Sequence, residues 1–347
     1  MSFSLRVDGP LWREHLSKTI AKDSSLVPVI KGNGYGFTNE QLALEAVRLP
    51  VSTIAVGTQS EVAMVRQHFD REVLVLAPWH PSLSQSEREA ANTTIRTLAH
   101  TEAIIDLASH SPGSPVVVEV LTSLRRHGVS ASELAMLLRP LENLDVRGFA
   151  LHLPLDASAN KLNEVFTWAG RLADAGLNPR TLWVSHLNDD ELARARATLS
   201  NMSIKPRVGT DLWLGDRTTF AINATVLDIH EVNKGDRVGY RQQAAPKDGH
   251  VLVVSGGTAH GVGLEAPSIP RGVSGRSKAV AKTGLQAFGK APSPFRLAGE
   301  RLWFAEPPHM QVSMLWLPHD IAPPAIGLPL NCQVRMTTAY FDEIVGL

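Results

Sequence analysis

The sequence has a single cysteine, Cys332, no excess of charge of either sign, and no apolar run of membrane-spanning length. One cysteine excludes an intrachain disulfide framework and a cysteine zinc site, and it suits a reducing compartment. Lys+Arg and Asp+Glu both number 34, so the formal net charge is zero. That balance leaves no electrostatic footprint for nucleic acid or for an acidic membrane surface. Apolar runs stop well short of the roughly 18 residues a membrane helix needs. The opening Met1-Ser2-Phe3-Ser4-Leu5-Arg6 carries no signal-peptide core. The expectation is a soluble cytoplasmic protein with no nucleic-acid partner, no membrane partner and no metal.

What is present is bulk and alternation. The chain has 347 residues, 44% of them hydrophobic. That accommodates a barrel of roughly 200–250 residues and a second domain of roughly 100. Short β-rich apolar runs occur at 27–30, 53–57, 73–77, 94–98, 116–120, 146–151, 181–185 and 205–214. Helical spacing occupies 41–48, 60–68, 101–108, 131–138, 161–175 and 190–199, with a weaker segment at 83–91. Strands alternating with helices in this way predict an α/β fold, a parallel (β/α)8 TIM barrel. A doubly wound open sheet is the alternative that periodicity alone leaves open. After about Phe220 the helical patterns stop, and 221–232, 251–254, 310–317 and 331–338 read as strands between Gly/Pro turns. The expected division is a barrel over 1–219 and a β-rich C-terminal domain over 220–347. Within the latter, 266–299 has three Arg, three Lys and no acidic residue. It reads as a solvated loop, or as an anion-contacting lid at the mouth of a site.

Lys31 is the most informative residue. It ends the run Leu26-Val27-Pro28-Val29-Ile30 and is followed by Gly32-Asn33-Gly34-Tyr35-Gly36. A lysine between a buried strand and a tight glycine loop stands where barrels and open α/β sheets place reactive groups. It could form a Schiff base with a carbonyl such as that of pyridoxal phosphate (PLP), or merely snorkel from a strand end. The other strand ends add Tyr35, Glu119, Arg126, His152, Ser185, His186 and Arg207-Val208-Gly209-Thr210. A pyridine aldehyde with a phosphate tail needs a lysine, a group for the ring nitrogen, a flat neighbour and an anion nest. The set supplies each type. A dinucleotide fold is disfavoured, because Gly32-Asn33-Gly34-Tyr35-Gly36-Phe37 lacks the third glycine spacing.

The segment Val29-Ile30-Lys31-Gly32-Asn33-Gly34-Tyr35-Gly36 resembles the PLP-lysine motif of the alanine racemase family. Arg207-Val208-Gly209-Thr210-Asp211-Leu212-Trp213-Leu214-Gly215 is similar to the strand that ends that family's barrel. Val226–Tyr240, with Lys234-Gly235-Asp236-Arg237-Val238-Gly239-Tyr240, is similar to the opening of its β domain. The resemblance implies a PLP barrel with a β domain, acting on amino acids as a homodimer with shared sites. It implies Lys31 as Schiff-base lysine and base, Tyr35 on the phosphate side, and Arg207 donating to the pyridine nitrogen. Gly209 and Thr210 would take the phosphate, and His152 would lie against the ring. Arg126, or Arg125 one register away, would contact the cofactor hydroxyl and the substrate carboxylate. Glu119 falls where many members carry a carbamylated lysine, and a carboxylate there could orient the arginine bidentately. His186 loosely matches a phosphate segment whose serine is replaced by Asn188 or Asp189.

The family's second base is a tyrosine supplied across the dimer. Here Ser255-Gly256-Gly257-Thr258-Ala259-His260-Gly261 puts Thr258 in the tyrosine position. Two-base racemisation needs a titrating group on each face. A threonine hydroxyl does not titrate near neutral pH, and histidine does. His260 and His309, the latter in Glu306-Pro307-Pro308-His309-Met310-Gln311, are therefore the candidates for the second base. Three readings follow: a PLP racemase or epimerase using a histidine; a decarboxylase, lyase or transaminase needing one face; and a non-catalytic PLP-binding protein concerned with cofactor homeostasis.

Overall fold

The computed structural model describes residues 2–156, 159–264 and 292–347. It divides into two compact units. One is Glu14–Gly34 with Thr38–Gly215. The other holds residues 2–13, Tyr35–Phe37 and Asp216–Leu347.

A first strand, β1 (Ser4–Val7), precedes eight that close into a parallel barrel. These are β2 (Val27–Ile30), β3 (Thr53–Val56), β4 (Glu72–Pro78), β5 (Ile95–Leu98), β6 (Pro115–Glu119), β7 (Asp145–Leu151), β8 (Thr181–Val184) and β9 (Ser203–Val208). Closure runs through Val27 opposite Arg207 and Pro28 opposite Val208. It decides for the TIM barrel over the open sheet.

Strands β2, β3 and β5 are buried at every position, as expected of parallel strands covered on both faces. Alternation then sorts the side chains. Val117, Ala150 and Trp183 join Val27, Val29, Ala55, Leu74 and Ile95 in one cluster. Their chain neighbours Val116, Val118, Phe149, Leu151, Leu182 and Val184 pack instead with Ile104, Leu107, Leu134 and Val165 of the surrounding helices. Each fully buried Val or Leu contributes about 1.5–3 kcal/mol. A run of three alternating residues thus secures both the barrel interior and the helix layer.

The eighth strand is shorter than the expected 205–214. It ends at Val208, and Thr210–Trp213 forms a helical turn. A helix over Gly9–Lys22 and the strand β1 are additions to the sequence reading.

The second unit is built on a mostly antiparallel sheet. Its strands are β10 (Phe220–Val232), β11 (Arg237–Val238), β12 (Gln243–Ala244), β13 (Gly249–Ser255), β14 (Pro292–Leu297), β15 (Glu300–Phe304), β16 (Val312–Pro318), β17 (Pro329–Cys332) and β18 (Glu343–Val345). The large sheet has the order β13-β16-β15-β14-β17-β10-β1-β18, and β13 pairs again with β10. The expected strand 331–338 ends at Cys332 and gives way to a 3-10 turn at Met336–Thr338. Residues 2–13 cluster with this unit. Of the basic segment 266–299, residues 266–291 lie outside the described residues, and 292–297 form β14. Among the described residues no helix is long and apolar enough to cross a membrane.

Candidate active site

Lys31 leaves the C-terminal end of β2 and is exposed. Gly32 and Gly34 that follow have φ of +63° and +60°, the left-handed region where glycine carries no steric penalty. Asn39 Nδ2 donates to the Gly32 carbonyl at 3.1 Å. Glu61 accepts the Gly32 N–H at 2.7 Å. The amine of Lys31 is held below the ordinary lysine range, first by desolvation, then by the charges of Arg126 and Arg207; Glu61 opposes them.

Arg207 lies on β9 and is buried. It donates from Nη2 to the Leu151 carbonyl at 3.3 Å, while its Nε has no hydrogen-bond partner. Glu119 ends β6 at 1% exposure, and its Oε1 is also without a partner. Burial raises the Glu119 carboxyl above the usual range, against the opposing charges of Arg207 and then Arg126. The bidentate pairing expected between Glu119 and Arg126 is not formed. Glu119 is a buried carboxyl in the field of two guanidinium groups, with Arg207 the stronger influence. Such orphaned buried groups are costly in isolation.

Arg126 is exposed on the loop after β6, and its charge acts on Lys31, Glu119, His152 and Arg207. Arg125, one register away, is not among the charges acting on these four groups. The loop returns onto β6 through Val129 N–H to the Glu119 carbonyl at 2.9 Å. Gly128 makes that return possible. With φ of +133°, a Cβ there would lie 2.3 Å from the Val120 carbonyl carbon.

His152 follows β7 and is half-buried. Desolvation, then Arg207, Arg126, His186 and Lys31, lower its imidazole to about 3. Ser185 Oγ accepts the Leu153 N–H at 3.0 Å and lies 3.1 Å from His152 Nδ1. The roles in this contact follow the tautomer: with the ring hydrogen on Nε2, the Ser185 hydroxyl donates to Nδ1. His186 follows β8 at φ +59°, its ring 5.3 Å from that of His152. Its imidazole is also lowered, by desolvation and then Arg207. Asn188, a candidate for the phosphate serine, uses its side chain to cap the helix Asp189–Thr198 by accepting Glu191 N–H at 2.8 Å. Gly209 precedes the turn Thr210–Trp213, whose first N–H groups have no intrahelical acceptor; Thr210 is exposed.

Tyr35 is buried at φ +55° and belongs to the second unit. His260 and His309 also lie there. His260 is buried, with its Nδ1 accepting the Gly257 N–H at 3.1 Å and its Nε2 3.0 Å from Asp342. Both ring nitrogens are spent inside the unit. His309 Nε2 is 2.6 Å from buried Glu306, and its ring lies 4.5 Å from that of exposed Tyr240.

Sequence reasoning missed three residues here. Glu61 and Glu191 each stand three after a capping position, as Thr58-Gln59-Ser60-Glu61 and Asn188-Asp189-Asp190-Glu191. That spacing is a helix-start signature and could have flagged them. Lys161 is buried, donates to the His186 carbonyl, and pairs with Glu191 at 3.2 Å. No local pattern announces it.

Residues 13–212 match the family model "Alanine racemase, N-terminal domain". An alanine racemase of Mycolicibacterium vanbaalenii is 25% identical over 276 residues, 72% of this chain and 68% of that protein. Among solved structures, alanine racemase from Bacillus anthracis with bound L-Ala-P has a TM-score of 0.69 at 18% identity. It covers 95% of this chain and 84% of its own. Alanine racemase from Bartonella henselae with covalently bound pyridoxal phosphate has a TM-score of 0.69 at 17% identity, covering 96% and 90%. The barrel, the strand-end lysine and the match over more than half of the sequence place this chain in the alanine racemase family.

Proposed function

We propose that the chain is a PLP-dependent isomerase of the racemase or epimerase type, acting at Cα of an amino acid. The observation that carries this is Lys31 at the end of β2 in the field of Arg126 and Arg207, beside a buried Arg207 Nε that lacks an acceptor. An unprotonated pyridine nitrogen is such an acceptor, so the residues fit the group. Bound PLP would supply an electron-withdrawing ring that makes the Cα hydrogen acidic. Lys31 would hold the cofactor and carry a proton on one face. Arg207 would keep the ring nitrogen unprotonated, since protonation beside a fixed cation is costly. Neutral His152 would lie against the ring. Arg126 would meet the substrate carboxylate, and Glu119 would offset the two guanidinium charges. Gly209, Thr210 and His186 would take the phosphate, with Tyr35 lining that side.

For the opposite face we place His309 ahead of His260. Glu306 can orient its imidazole as a carboxylate orients a general base, whereas His260 has both nitrogens engaged. The proposal includes a homodimer that completes each site, and a cytoplasmic location.

The test is exchange in deuterated water. Purified protein given PLP and L-amino acids should produce both enantiomers with deuterium at Cα. Lys31→Ala should lose covalent PLP, read by borohydride fixation and mass spectrometry, and all exchange. His309→Ala should slow racemisation more than His260→Ala. Deuterium with complete stereoretention would instead support the one-face enzyme, which the engagement of His260 favours. Covalent PLP without exchange would support the cofactor-homeostasis reading.

A further inference from the structure

Glu61 meets Lys31 through the backbone rather than through the reacting centre. Its Oε1 accepts the N–H of Gly32, the residue after Lys31, at 2.7 Å and lies 3.4 Å from Asn39 Nδ2. Its Oε2 accepts the Thr58 N–H at 2.9 Å. Asn39 Nδ2 also donates to the Gly32 carbonyl at 3.1 Å. Both polar groups of Gly32 are therefore held, at a residue with φ of +63°. The stem of Lys31 is fixed from the same side. A Cβ on Gly57 would lie 2.9 Å from Lys31 Cβ and 2.9 Å from Glu61 Oε2. Strand β3 is thus followed by a glycine, Gly57, that admits the lysine stem and the carboxylate to the same place.

The charged and titratable groups acting with Lys31 are Arg126, Arg207, Glu61, His152 and His186. Desolvation at the amine and then the two arginines disfavour the ammonium form, and Glu61 favours it. A charge on a side chain that also holds the neighbouring peptide couples the aim of the lysine to its protonation.

We propose that Glu61 is a positioning residue for Lys31, fixing the Gly32 peptide and supplying the carboxylate charge that opposes Arg126 and Arg207 at the amine; this rests on the reading of Lys31 as the cofactor lysine.

The experiment uses the full chain in two arms. In the first, cofactor-free protein is acetylated with acetic anhydride across a pH series, and Lys31 is followed by peptide mass spectrometry. In Glu61→Gln the midpoint for Lys31 moves to lower pH, while Lys18 and Lys22 do not move. In Glu61→Asp the charge remains but cannot reach both N–H groups, and the midpoint stays nearer that of the parent. The second arm measures PLP capture by borohydride fixation. Both variants lose about tenfold, the scale of one hydrogen bond to a charged acceptor.

An unchanged Lys31 midpoint in Glu61→Gln, or capture equal to the parent's, overturns the proposal. If Glu61→Gln does not fold, Glu61→Asp decides: reduced capture with a parent-like midpoint supports it, and full capture overturns it. A parent chain that fixes no PLP on Lys31 refutes the cofactor reading, while the acetylation arm still reports on Glu61.

Discussion

His152 shows at the residue scale how the barrel mouth changes ordinary side-chain chemistry. An unfolded imidazole titrates near about 6.5, whereas burial and then Arg207, Arg126, His186 and Lys31 bring His152 to about 3. Between those values the unfolded chain binds more protons than the folded one. Stability therefore rises with pH across this window and is lost as pH falls through it; above about 6.5 the contribution no longer changes. Replacing His152 by Asn removes that dependence. Urea midpoints of the cofactor-free chain should fall less between about pH 7 and about pH 5 in His152→Asn than in the parent. An equal fall would mean that other groups govern the acid limb. The residue identities at the strand ends were legible because each follows an apolar run whose register is fixed by burial. What they touch was not. Glu119 was expected to grip Arg126 and instead leaves its Oε1 without a partner, in the field of Arg207 more than of Arg126. One-dimensional spacing says which strand a side chain leaves, and nothing of which neighbour wins the electrostatic competition.

The turn after β8 makes the same point at the scale of the element. His186 holds φ of +59°, an unfavourable conformation for a residue with a Cβ. Lys161, buried at the start of the helix Lys161–Asp174, donates to the His186 carbonyl and pairs with Glu191. Glu191 also accepts the Asn188 N–H at 2.8 Å. One carboxylate thus serves a helix start and a buried ammonium. Glu191→Ala leaves Lys161 buried without its partner and removes half of the capping box. The expected cost is about 3 kcal/mol in urea unfolding, and Glu191→Gln, which keeps an acceptor for Asn188, should cost less. Equal costs would show that the ion pair, not the cap, matters. Elements whose signal is periodic were readable, and all eight barrel strands were. Those set by turn chemistry were less so. Strand β9 stops at Val208 because Gly209 opens a helical turn. Strand β14 lay within a segment rich in Gly, Pro and Ser. It pairs with β15 across Ala298-Gly299, both at positive φ, with Leu297 opposite Glu300. That is a two-residue hairpin of the primed kind, and alanine in its first position hid it.

Strand β1 raises the question of what counts as a domain at the scale of the whole molecule. Only four residues long, it pairs antiparallel with β10 and parallel with β18, as in Ser4 opposite Asn223 and Ser4 opposite Glu343. A parallel partner from the far end of the sequence is a non-local contact that composition cannot announce. The change of texture near Phe220 therefore located the second unit but not its first strand. Phe3, Leu5 and Val7 are each buried. At about 1.5–3 kcal/mol per side chain, their removal approaches the whole stability of a typical domain, about 5–15 kcal/mol. Deleting residues 2–8 should consequently unfold the β unit. Amide exchange at Phe220–Asn223 and Glu343–Val345 should become fast, while β3 through β8 keep their protection. A synthetic peptide of residues 2–8 should restore protection in trans, because backbone pairing on both sides and three apolar side chains define its slot. Retained protection at Phe220–Asn223 after the deletion would show that β10 is held by β13 and β17 alone. The N-terminal strand would then be an attachment to the second unit rather than part of its core.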